Sequence, residues 1–134
     1  MVLVVLLVLA LFVLQTLLPG RFREAPAPGG QNKLQENLGP RDHMRPLTVT
    51  GQRAARALAN MQEAIPVFIA LALLNLIVAP QAALAVTGAW VFLIARFVYL
   101  PLYVGGVTYL RTLAWAVSWV GLVLMIIPLV RAMP

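Results

Sequence analysis

"RAARALANMQEAIPVF", residues 53–68, is the stretch whose reading decides the fold. It starts as an amphipathic helix and runs without a break into "IALALLNLIVA" at 69–79. Arg53, Arg56, Asn60 and Glu63 are spaced 3, 4 and 3. At 3.6 residues per turn they share one stripe about 80° wide. A soluble helix would keep such a stripe in water. Here the helix carries it to the mouth of an apolar segment long enough to cross a bilayer, because about 20 such residues span a ~30 Å core.

The rest of the chain fits that setting. Of its 134 residues 62% are hydrophobic and 10% charged, against about 25% charged in ordinary soluble domains. This composition predicts an all-α integral membrane protein and a single domain over residues 1–134. The absence of cysteine excludes disulfides, thiolate metal sites and a cysteine nucleophile. The net charge of +6 does not point to nucleic acid. Most of the excess lies at 20–56, where Arg21, Arg23, Lys33, Arg41, Arg45, Arg53 and Arg56 face only Glu24, Glu36 and Asp42. A basic loop beside apolar spans is a topology signal.

Four spans are expected, near 1–19, 51–79, 82–103 and 105–131. The first, "MVLVVLLVLALFVLQTLLP", has no basic leader and is longer than a signal-peptide core, so it reads as a retained span. "APAPGG" at 25–30 reads as a linker, "QNKLQENL" at 31–38 as a short surface helix, and His43 as a solvated loop residue. Thr50 is the expected N-cap of the second helix. The short "APQ" joint makes helices 2 and 3 antiparallel neighbours. Pro66, Pro101 and Pro128 interrupt backbone ladders that neighbouring helices can re-satisfy. The basic loop 20–50 is expected in the cytoplasm and both termini on the opposite side. The expected location is an inner membrane.

That topology brings three polar faces to one leaflet. Helix 3 contributes Arg96, Tyr99 and Tyr103 near its cytoplasmic end, and helix 4 contributes Arg111, Trp115 and Ser118 near its start. Arg131 sits at the other interface, where it can snorkel. An ionised group within a span costs about 2.5–3.5 kcal/mol even on the lenient scale. Arg56 lies about 10.5 Å along the axis from Glu63, and its side chain leans away from it. A partner for Glu63 is therefore expected from another helix or another subunit, with Arg96 and Arg111 as candidates. Two readings stand at this point. The charges form either a buried ion-pair network that fixes register or a polar pocket, and three arginines to one glutamate favour an anionic ligand.

The pattern R-x-x-R-A-x-x-N-x-x-E-x-x-P, met by Arg53, Arg56, Ala57, Asn60, Glu63 and Pro66, resembles the helix-2 signature of the membrane-associated proteins in eicosanoid and glutathione metabolism (MAPEG). "ARFVYLPLYVGGVTYLRTLAW" at 95–115 resembles that family's helix 3–4 region, and the compact length resembles its bacterial members. The resemblance implies a homotrimer of left-handed four-helix bundles, with glutathione bound between subunits as co-substrate. A lipophilic small-molecule substrate would arrive from the membrane lipid. By position, Arg53, Arg56, Asn60, Glu63, Arg96, Tyr99 and Tyr103 would bind glutathione, and Arg111 would be the catalytic thiolate stabiliser. Leu58 and Ala64 stand where some glutathione-using members carry Gln and Tyr. Arg111 follows Tyr103 by eight residues rather than seven. The resemblance therefore implies a glutathione-dependent transferase or peroxidase acting on lipophilic electrophiles. The alternatives are a non-catalytic protein of the same fold that binds lipid or a partner, and an unrelated four-span transporter.

Overall fold

A computed structural model describes residues 1–26, 38–39 and 44–133. Among the described residues four helices carry the fold: α1 (Val2–Arg21), α2 (Val49–Val78), α3 (Ala83–Gly105) and α4 (Thr108–Arg131). Each is long and apolar enough to cross a membrane. The described residues contain no β-strand, only an isolated antiparallel bridge between Arg23 and Leu47. The all-α membrane architecture is thus as the composition predicts. Residues 27–30 of the expected linker, the expected surface helix at 31–38 apart from Leu38, and His43 lie outside the described residues.

The helix ends differ from the sequence expectation for local reasons. Thr48, not Thr50, caps α2. Its hydroxyl oxygen accepts from the Gly51 amide at 3.2 Å and donates to the Phe22 carbonyl at 2.9 Å, so one side chain closes the helix and ties it to the end of α1. Gly105 belongs to α3 rather than opening α4. Gly106 follows it in the left-handed region at φ 80°, and the Val107 and Gly106 amides return to the Leu102 and Tyr103 carbonyls. That left-handed glycine satisfies two orphan carbonyls and reverses the chain. Pro66, Pro101 and Pro128 all sit inside continuous helices, and so does Pro19.

α2 and α3 are central, whereas α1 and α4 lie on the outside and α1 meets chiefly α2 and α3. The buried side of α2 runs through Ala54, Ala57, Met61, Ala64, Phe68 and Ala72. Small residues along this seam let the backbones approach, which matters in a bilayer, where lipid tails are as apolar as leucine. α1 buries Val4, Val8, Leu11 and Gln15 in the same rhythm. Asn75 donates across to the Met125 carbonyl of α4 at 2.9 Å.

Two contacts set the registers. The Phe68 and Phe92 rings stack with centroids 4.6 Å apart, fixing α2 against α3. Gly88 and Gly121 set α3 against α4 backbone to backbone. A Cβ at Gly88 would lie 2.6 Å from the Gly121 carbonyl oxygen, and one at Gly121 would lie 2.7 Å from both the Gly88 carbonyl oxygen and the Phe92 amide. No rotamer can relieve a clash with backbone. Gly121→Val is therefore expected to separate the two helices and lower stability by about 1–3 kcal/mol, the usual range for overpacking. Thermal unfolding in detergent is the measurement, and an unchanged midpoint would mean the helices are not in this contact.

Candidate functional site

The two registers determine which polar residues share a level. From the Phe68–Phe92 pair, antiparallel counting along α2 and α3 puts Met61 and Asn60 beside Tyr99, and Ala57 beside Tyr103. From the glycine contact and the Gly106 turn, Arg111 in the first turn of α4 falls level with the last turns of α3. Asn60, Tyr99, Tyr103 and Arg111 accordingly line one concavity of about 220 Å³, together with Thr112 and Trp115.

Its wall is built from ring contacts. The Tyr99 and Tyr103 rings lie 5.2 Å apart and tilted. The Arg111 guanidinium sits 4.6 Å from the centroid of the Tyr103 ring, so the side chain turns toward α3 and does not leave for the surface. Such a cation–π contact contributes about 0.5–2 kcal/mol depending on exposure, and it leaves the guanidinium edge able to donate. Asn60 donates its amide to the Arg56 carbonyl at 3.1 Å, which fixes the side chain at the level of Tyr99. Thr112 donates back to the Thr108 carbonyl at 3.0 Å.

The other candidates are placed differently. Arg53 packs its guanidinium against Gly106, where a Cβ would come within 2.5 Å of Nη1. It therefore braces the α3–α4 turn from α2. Arg56 and Glu63 are exposed on the surface of this chain and do not line the concavity. Arg96 is 1% exposed. Its guanidinium lies between the Phe92 and Tyr99 rings, 5.4 and 5.6 Å from their centroids, and none of its three nitrogens has a hydrogen-bond acceptor. No ion pair with Glu63 is formed within the chain.

Two pocket residues were not among those proposed as site residues. Trp115 carried a usable signal, because it lies four residues beyond Arg111 on the same helical face. Its ring also packs edge-on against Trp119 at 5.9 Å. Thr112 carried none, since a threonine beside an arginine at a helix start is an ordinary surface pair. Ser118, grouped with Arg111 and Trp115 by spacing, is instead buried and donates to the Trp115 carbonyl at 2.6 Å.

Four helices long and apolar enough to cross a membrane, with a tyrosine- and arginine-lined concavity at one end, define a small integral membrane protein. The family model for the MAPEG family matches residues 1–131, and the chain belongs to that family. No curated protein matches the chain.

Proposed function

We infer that this protein is a glutathione-dependent transferase or peroxidase acting on lipophilic electrophiles. The observation that supports it most is the convergence of Asn60, Tyr99, Tyr103 and Arg111 on one concavity. Arginine is suited to anionic groups because it stays charged and donates in a fixed fork. The tripeptide would supply the thiol nucleophile, and a guanidinium near sulfur favours the thiolate. The chain's own parts then divide the work. Arg111 holds charge at the reacting end, Tyr99 and Tyr103 offer hydroxyls and ring walls, and Asn60 offers its amide oxygen.

The fit is partial within one chain. At about 220 Å³ the concavity is below the ~300–1,000 Å³ usual for small-molecule sites, so a tripeptide needs a further wall. Arg56 and Glu63 supply the reason to expect one. An ionisable carboxylate facing lipid near the end of a span is costly, and Glu63 is exposed on this chain. A second copy of the chain would cover Glu63 and Arg56 and enlarge the site, and a closed homotrimer does this without leaving an open face. In this assembly the arginine-rich end would be cytoplasmic, in a bacterial inner membrane.

Isothermal titration of glutathione into detergent-solubilised protein tests the reading. Saturable binding is expected, weakened about tenfold or more by Arg56→Ala and Glu63→Gln with assembly intact, since hydrogen bonds to charged groups contribute about 1.5–3 kcal/mol. Absence of saturable binding in the parent protein would sink it. The rival is a non-catalytic family member that binds lipid or a partner. The small concavity favours that rival.

A further inference from the structure

Two apolar grooves run along the outer side of α3. One, of about 500 Å³, lies between α3 and α4 and is walled by Ile94, Val98 and Leu102 on one side and Leu110, Leu113 and Val117 on the other. The second, of about 530 Å³, lies between α1 and α3 and is walled by Leu7, Leu14, Leu93, Ile94 and Phe97. Ile94 belongs to both. It is 57% exposed, and Phe97 beside it is 63% exposed, so the two grooves are parted by a single ridge.

The length of the α3–α4 groove matches one leaflet. Val91 to Leu102 on α3 covers about 16 Å at 1.5 Å per residue, roughly half of a ~30 Å hydrocarbon core. The α1–α3 groove also points toward a charged end. Leu7, Leu14 and Arg21 are seven residues apart on α1, hence on one stripe. Arg21 stands about 10 Å beyond Leu14 toward the arginine-rich end. It is exposed in the last turn of α1 and makes no hydrogen bond or ion pair. Its neighbours are committed elsewhere. Arg23 donates to the Arg45 carbonyl, and Arg45 donates to the Glu24 carbonyl at 2.7 Å.

We propose that one anionic diacyl phospholipid sits astride α3, with a chain in each groove and its phosphate at Arg21. Two chains leaving one glycerol must diverge around something, and the Ile94–Phe97 ridge provides it. A single-chain lipophile would fill one groove and leave the other open. A lipid phosphate complements the unpaired guanidinium, and the basic excess at this end selects a net negative headgroup. The site is separate from the tyrosine-lined concavity, which uses Asn60 and the other face of the α3–α4 pair.

Trp90 gives a direct readout. It is half-exposed on α3, one turn from Ile94. In protein with Trp115→Phe and Trp119→Phe, reconstituted in phosphatidylcholine, Trp90 fluorescence is followed with phosphatidylglycerol brominated near the chain ends. Phosphatidylcholine brominated in the same way is added in parallel at equal mole fraction. Several-fold stronger quenching by the phosphatidylglycerol is expected, reduced to parity by Arg21→Gln. Native mass spectrometry of the unaltered protein should retain one phosphatidylglycerol per chain, whatever the fate of the tryptophan variants. Equal quenching by the two lipids, or a preference that survives Arg21→Gln, would overturn the proposal. So would the absence of quenching by either, which would show that a second copy of the chain covers this face.

Discussion

Replacing Arg111 with alanine is expected to lower the rate of glutathione conjugation to an electrophilic dye by about 10²–10³-fold while the protein stays folded. That range is what removing one preorganised charge-stabilising donor costs when charge is concentrated at the reacting atom. The arrangement supports such a role, because Arg111 is held against the Tyr103 ring at 4.6 Å and borders the concavity with Asn60 and Tyr99. Folding should survive, since the loss is one cation–π contact of about 0.5–2 kcal/mol. The pH–rate profile separates this role from mere binding. A cation near sulfur favours the thiolate, so without it the thiol ionises at higher pH and the acid limb of the profile should move upward. Arg111→Lys keeps the charge but not the planar fork and should restore part of the rate. A parent protein that conjugates the dye and an Arg111→Ala variant that does so equally well would together remove Arg111 from the chemistry.

The spans were readable because lipid imposes a length and an apolar composition that few other settings require. The tyrosine pair was readable too, since Tyr99 and Tyr103 at i, i+4 must share a face wherever the helix goes. What periodicity could not supply was the rotation of each stripe about its helix. Arg56, Asn60 and Glu63 lie within one narrow stripe, yet Asn60 reaches the concavity while Arg56 and Glu63 look outward. A shift of some tens of degrees separates those fates, and it is set by the packing of Ala57, Met61 and Ala64 against neighbouring helices. Gly88 could be read as permitting a close helix contact, but its partner Gly121 was illegible for a different reason. Each is an isolated glycine in its own helix, and only their meeting across α3 and α4 gives them meaning. The eight-residue step from Tyr103 to Arg111 passes through the turn, where Gly106 takes φ 80° and Arg53 fills the space that a side chain would need.

Arg96→Met is expected to leave the ligand-free protein as stable as the parent, or more stable by about 1–4 kcal/mol, while abolishing ligand-induced stabilisation. The opposite signs follow from one observation. Arg96 is 1% exposed and all three of its guanidinium nitrogens lack acceptors. A buried charge without hydrogen bonds costs several kcal/mol, and the Phe92 and Tyr99 rings at 5.4 and 5.6 Å return only part of it. Replacing buried ionic groups by apolar residues of similar volume is often neutral or stabilising by about that much. A chain under selection for stability alone would not keep this arginine. If Arg96 is kept for an anionic ligand, the methionine variant gains stability and loses the response to that ligand. Thermal midpoints with and without glutathione read both effects in one experiment. A variant that unfolds would show instead that Arg96 finds a partner in the assembled protein, with Glu63 of a neighbouring copy as the first residue to test by Glu63→Gln. A variant that is stable and still responds to glutathione would exclude Arg96 from the site. The tyrosine-lined concavity would then be the whole of it.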